Sequence, residues 1–95
     1  MQTLTRRASS KWVTGLRPKL EEAFSGGISR GTLVGKALLK GVDMLEVVEV
    51  KFVPGKVEGP KFDVSGREVL FKYPVEGKES LDDVYYPLMG MLNRV

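Results

Sequence analysis

The sequence predicts a small α+β domain, with N-terminal helices, a three-stranded, mostly antiparallel sheet and a C-terminal helix packed on it. Three observations lead there. Apolar residues recur at helical spacing up to about residue 40, then alternate between Leu45 and Val75, and return to helical spacing after Ser80. The alternating runs follow one another with short connections, which favours antiparallel pairing. Ninety-five residues with 42% apolar content suit one folded domain with a modest core.

Leu4, Ala8, Trp12 and Leu16 recur every four residues, with Val13 beside Trp12, and place one apolar stripe on a first helix. Gly15 and Pro18 are expected to end it, because the residue before a proline avoids the helical region. Residues 1–17 are therefore set apart as a basic amphipathic segment, and residues 18–95 as the α+β domain. Pro18 suits the start of a second helix with Leu20, Ala23 and Phe24 inward, stopped by Gly26-Gly27. A third helix is expected from about Leu33 to Lys40, capped by Ser29 or Thr32, with Leu33, Val34, Ala37 and Leu38 on one face.

The period then changes. Val48, Val50 and Phe52 alternate with Val47, Glu49 and Lys51, so Leu45 to Val53 reads as a half-buried strand closed by Pro54-Gly55. Phe62 and Val64 give a second strand, and Val69, Phe71, Tyr73 and Val75 a third. A tight turn at Ser65-Gly66 would set Phe62 opposite Val69, and Asp63 unfavourably opposite Glu68. In the last segment Ser80 and Asp83 form a capping-box pattern. Leu81, Val84, Leu88, Met91 and Val95 follow as a 3-4-3-4 stripe, with Pro87 inside it to kink or restart the helix.

Composition excludes much chemistry. The chain has neither cysteine nor histidine. Disulfides and thiolate metal sites are thereby impossible, and the commonest general acid/base and the commonest transition-metal ligand are missing. No apolar run approaches the roughly 20 residues of a membrane-spanning helix, and the N-terminus lacks an apolar secretory stretch. The net charge of +3 hides an asymmetry. Residues 1–40 hold eight bases against two acids, a balance of +6, and residues 41–95 hold seven against ten, a balance of −3. Arg6, Arg7, Lys11, Arg17, Lys19, Arg30, Lys36 and Lys40 are the candidate contacts to nucleic-acid phosphates. The first twenty residues are basic, hydroxyl-rich and free of acids, the character of a mitochondrial import sequence.

Four motifs invite sharper readings. Gly26 to Lys36 looks like a phosphate loop but fails on spacing, and reads instead as a helix stop followed by a helix start at which Arg30 could hold one backbone phosphate. Arg6-Arg7-Ala8-Ser9 resembles the recognition pattern of basophilic kinases such as the cyclic-AMP-dependent kinase, which implies Ser9 as an acceptor, against the plainer reading of an exposed basic turn. Asp82 and Asp83 point about 100° apart on a helix and suit capping better than a shared ion. Trp12 and Phe24 could stack on bases but fall on apolar stripes, so core packing is expected; Tyr85 and Tyr86 stay open.

No catalytic, cofactor or metal site is expected. The sequence points to a non-enzymatic structural subunit of a ribonucleoprotein assembly resembling an organellar ribosome. Its basic half would lie on structured RNA and its neighbours would be protein subunits, with Leu81, Val84, Leu88 and Met91 as a docking stripe. The expected location is the mitochondrial matrix. The alternatives are an accessory subunit of a respiratory or other multiprotein complex and a virion structural protein.

Overall fold

The computed structural model describes residues 11–95. The first ten residues of the expected first helix, with Leu4 and Ala8, lie outside them, as do Arg6, Arg7 and Ser9. The described chain is α+β with two helices and a five-stranded mixed sheet, so the expectation of three strands behind several N-terminal helices is overturned. The elements in order are β1 (Trp12–Thr14), α1 (Leu16–Ser25), β2 (Gly31–Leu39), β3 (Met44–Pro54), β4 (Lys61–Ser65), β5 (Glu68–Val75) and α2 (Leu81–Leu92). The sheet order is β1-β3-β2-β5-β4; β1 runs parallel to β3 and every other neighbouring pair is antiparallel.

Two segments expected as helix are strand. Trp12-Val13-Thr14 is aromatic and β-branched, and pairs with Met44 to Glu46. The chain then turns through Gly15, whose φ is +81°, and a Cβ there would stand 2.7 Å from the Val47 carbonyl oxygen. Gly15 thus begins α1 rather than ending a preceding helix. Pro18 sits in the first turn of α1, where a missing N–H removes no helical bond.

The second reassigned segment, β2, is the central strand. Its core face carries Gly31, Leu33, Gly35 and Ala37. Three of these four are too small to register as an apolar alternation, while Leu33, Val34, Ala37 and Leu38 imitate a helical face. Tertiary packing explains the small residues: the Phe71 ring of β5 lies over Gly35, and a Cβ at Gly35 would come within 2.1 Å of Phe71 Cζ. Large side chains from β3 and β5 fill the space above β2.

Both helices cover one face of the sheet. Leu16 and Leu20 of α1 and Val84, Leu88 and Leu92 of α2 are buried there with Leu33, Leu45, Val47, Val69, Phe71 and Val75. A bulge opposite Lys36/Ala37 inserts Val48 and resets the phase of β3, so that both Val47 and Val50 turn inward. The β4–β5 hairpin turns at Gly66-Arg67, one residue later than expected, with Gly66 at φ +60° in the first loop position, where a type II′ turn calls for glycine. Phe62 therefore faces Phe71, Val64 faces Val69, and Asp63 faces Leu70 rather than Glu68. The expected capping box of α2 is present, with Asp83 N–H donating to Ser80 Oγ at 3.2 Å and Ser80 N–H donating to Asp83 Oδ2 at 3.0 Å. Pro87 lies within one continuous helix on its exposed side, where water can satisfy the carbonyl it leaves free.

Candidate interaction surface

The six described members of the basic set do not share a face. Arg17 and Lys19 ride on α1. Lys36 projects from the side of the sheet away from the helices. Arg30 and Lys40 flank opposite ends of β2, about 30 Å apart at the rise of an extended strand. Four of the six are engaged by carboxylates. Arg17 reaches Asp82 at 2.8 Å, Arg30 reaches Glu76 at 3.3 Å, and Lys36 and Lys40 reach Glu68 and Glu46, each at 3.5 Å.

Arg17 is the most committed. Its guanidinium lies 5.0 Å from the centre of the Tyr85 ring while it donates to Asp82, and that hydrogen bond raises its pKa above the ordinary value. It ties α1 to α2. The Arg30 phosphate-site expectation is also corrected, because the segment after Gly26-Gly27 leads into β2 and no helix start lies beside Arg30. Lys11 and Lys19 have no carboxylate partner among the described residues.

The C-terminal stripe is placed inside the fold. Val84 and Leu88 are fully buried in the chain's own core, and Leu81 and Met91 pack against it. These residues dock α2 on its own sheet. Asp82 serves Arg17 and Asp83 caps the helix, which is the plain role expected of the acidic pair.

The sheet face without helices is a mixed surface. Val34, Lys36 and Leu38 of β2 lie among Glu46, Glu49 and Lys51 of β3 and Glu68, Leu70 and Lys72 of β5. At one end the loop after β3 folds over it. Thr32, the one buried polar side chain among the described residues, donates to the Lys56 carbonyl and accepts from Glu58 N–H at 2.8 Å. That latch sets Glu58 between Lys72 Nζ at 2.6 Å and Lys56 Nζ at 3.1 Å. The hydrogen bonds from Lys72 and Lys56, reinforced by their charges, hold the Glu58 carboxyl at about 2, against an ordinary 4.5. In the loop between β5 and α2, Glu79 accepts from the Glu76 and Gly77 amides at 2.8 and 2.9 Å. Burial alone would raise the Glu79 pKa, but these backbone bonds leave it lowered. Two depressions on this face, beside Thr32 and beside Lys61, hold about 130 and 260 Å³. Both fall below the roughly 300–1,000 Å³ of typical small-molecule sites.

The other end of this face is apolar and open. Trp12 is 72% exposed, Met44, its register partner on β3, is 42% exposed, and Val42 in the β2–β3 hairpin is 93% exposed. The hairpin is bound to β1 by the Trp12 N–H, which donates to the Asp43 carbonyl at 2.7 Å. Core packing was expected for Trp12 and does not occur; as a strand residue it points away from the helices. Phe24 does pack on the core, Tyr85 is half-buried and Tyr86 is exposed. Sequence reasoning missed this patch because Trp12 fell on an apparent helical stripe. An apolar Val42 between Gly41 and Asp43, at a turn, was the available signal. No protein-family model, no curated protein and no solved structure matches the chain.

Proposed function

We propose that this chain is a non-enzymatic structural subunit of a larger assembly, and that it meets a protein neighbour through Trp12, Val42 and Met44. The observation that carries this reading is the exposure of the chain's single tryptophan beside two further exposed apolar side chains at one end of an open sheet face. Tryptophan is enriched where interfaces concentrate their binding energy, and clustered apolar exposure marks interaction sites. A neighbour of the matching chemistry presents an apolar pocket with a polar rim facing Thr14, Lys40, Asp43 and Glu46.

Contact with structured RNA is the second reading. It is favoured by the acid-free first twenty residues, and it draws on Arg6, Arg7, Lys11 and Lys19 rather than on the ion-paired bases. A mitochondrial matrix address, from the same segment, would have to act through residues before Trp12. Removing residues 1–20 would strip β1 from the sheet and the buried Leu16 and Leu20 from the core.

Trp12→Ala separates the readings. The change is expected to leave the thermal melt nearly unchanged and to abolish incorporation into the native particle, and in the wild-type chain the tryptophan emission shifts to the blue on assembly. Unimpaired incorporation of the variant would refute the protein contact. Tight binding of the free chain to structured RNA, falling steeply with salt and lost on charge reversal at Arg6, Arg7 and Lys11, would establish the second reading in its place.

A further inference from the structure

We infer that β4, at the sheet edge far from Trp12, pairs antiparallel with β4 of a second copy of this chain, joining two sheets into one. The inference is independent of the Trp12 contact. β4 is the terminal strand of the sheet, and four of its five residues are exposed. The two-residue loop makes Ser65 and Glu68 a hydrogen-bonded pair, so Lys61, Asp63 and Ser65 direct their backbone groups to β5. The N–H and C=O groups of Phe62 and Val64 therefore point away from the sheet, as a ladder awaiting a strand.

The side chains select the register. Two copies related by a two-fold axis through Phe62 place Phe62 opposite Phe62 in a hydrogen-bonded pair, using the groups that point outward. Lys61 of each copy then stands opposite Asp63 of the other in the closer, non-hydrogen-bonded positions, where Cα atoms are about 4.5 Å apart. Neither Lys61 nor Asp63 has an ion-pair partner among the described residues. Val64, 50% exposed beside Phe62 on the helix side, meets Pro60 of the other copy, whose nitrogen has no hydrogen, and the ladder ends there. Of the competing symmetric registers, one through Asp63 sets two carboxylates face to face and one through Val64 sets Lys61 towards Arg67 of the other copy, and like charges destabilise a cross-strand pair. Charges on an edge strand commonly discourage pairing; here their order, Lys61-Phe62-Asp63, is self-complementary.

Sedimentation velocity on the full-length chain, up to about 1 mM so that millimolar association registers, is the test. A concentration-dependent species of twice the chain mass is expected. Lys61→Glu and Asp63→Lys should each weaken it by about tenfold or more, and mixing the two variants should restore a heterodimer. Val64→Pro, which removes an outward N–H and no bond to β5, should also abolish it with the melt little changed. A wild-type chain that stays monomeric throughout, or a dimer indifferent to these changes, overturns the inference. A dimer lost with Asp63→Lys but untouched by Lys61→Glu overturns the register.

Discussion

Gly35→Ala sets two effects of opposite sign against each other. Gly35 has ordinary strand geometry, so an alanine there strains no backbone. On chain entropy alone the change should stabilise the fold by about 0.4–1 kcal/mol. The Phe71 ring reverses the sign. The new Cβ would lie 2.1, 2.5 and 2.6 Å from Phe71 Cζ, Cε1 and Cε2, more than an ångström inside van der Waals contact. Phe71 is itself buried, in the middle of the core, and the ring has little room to retreat. Overpacking of this kind typically costs about 1–3 kcal/mol and occasionally more. A net loss of about 2 kcal/mol corresponds to a fall in Tm of about 10–15 °C for a domain of this size. Calorimetry or a circular-dichroism melt reads this directly. Phe71→Leu removes the ring atoms that collide and destabilises the chain by itself, but in that background Gly35→Ala should be neutral or stabilising. The coupling between the two sites should then be about 2 kcal/mol, within the range seen for residues in contact. If Gly35→Ala raised Tm in the wild-type chain, or the two changes were additive, the ring would not lie over Gly35, and the account of why β2 is a strand would fail with it.

Leu88→Ala, at a fully buried site on α2, should destabilise the isolated chain by about 2–5 kcal/mol in denaturant titration, whereas deleting Arg94 and Val95, of which only Val95 packs, partly buried, on the core, should cost less. Glu58 supplies a pH dependence. Its folded value of about 2 lies below the ordinary 4.5, so its contribution is present above pH 4.5 and is lost as the pH falls towards 2; Glu58→Gln should flatten that part of the stability profile. Thr32→Val should cost about 1–2 kcal/mol by removing the latch to Lys56 and Glu58. By freeing the loop it should also raise the Glu58 pKa towards 4.5, as a carboxyl-carbon NMR titration would read.

The parts of the fold that were legible in the sequence are those whose pattern comes from large side chains. β3, β4 and β5 alternate bulky apolar residues with charged ones, and the C-terminal helix announces itself through Ser80, Asp83 and its stripe. What failed has a common cause. The core face of β2 carries Gly31, Gly35 and Ala37 beside the single large Leu33 because the neighbouring strands supply the volume, and a strand defined by what it lacks leaves no periodic signal. β1 is only three residues long, too short for any period, and owes its conformation to a neighbour more than thirty residues away in sequence. The missed Trp12 patch follows from that error, since a residue's face cannot be assigned once its element is wrong.

The charge asymmetry between the two halves of the chain is real in the sequence and, among the described residues, partly cancelled in space. Arg17 meets Asp82, Arg30 meets Glu76, Lys36 meets Glu68 and Lys40 meets Glu46. In each pair a base from the first forty residues faces an acid from the remainder. These pairs are exposed and individually contribute little to stability, about 0–1 kcal/mol each. Their consequence is for recognition. A phosphate approaching Arg17 must displace a carboxylate held at 2.8 Å and a stacked tyrosine, whereas one approaching Lys19 displaces only water. Net charge by sequence half therefore overstates the basic surface. Among the described bases of that half, Lys11 and Lys19 are the two that no carboxylate engages; Lys11 directly precedes β1 and Lys19 lies on α1. Val42 and Met44, exposed at the hairpin beyond β1, accompany Trp12 at one end of the open sheet face. Lys11 and Trp12 are adjacent in the chain, so a partner that approaches this unpaired base also meets the exposed tryptophan.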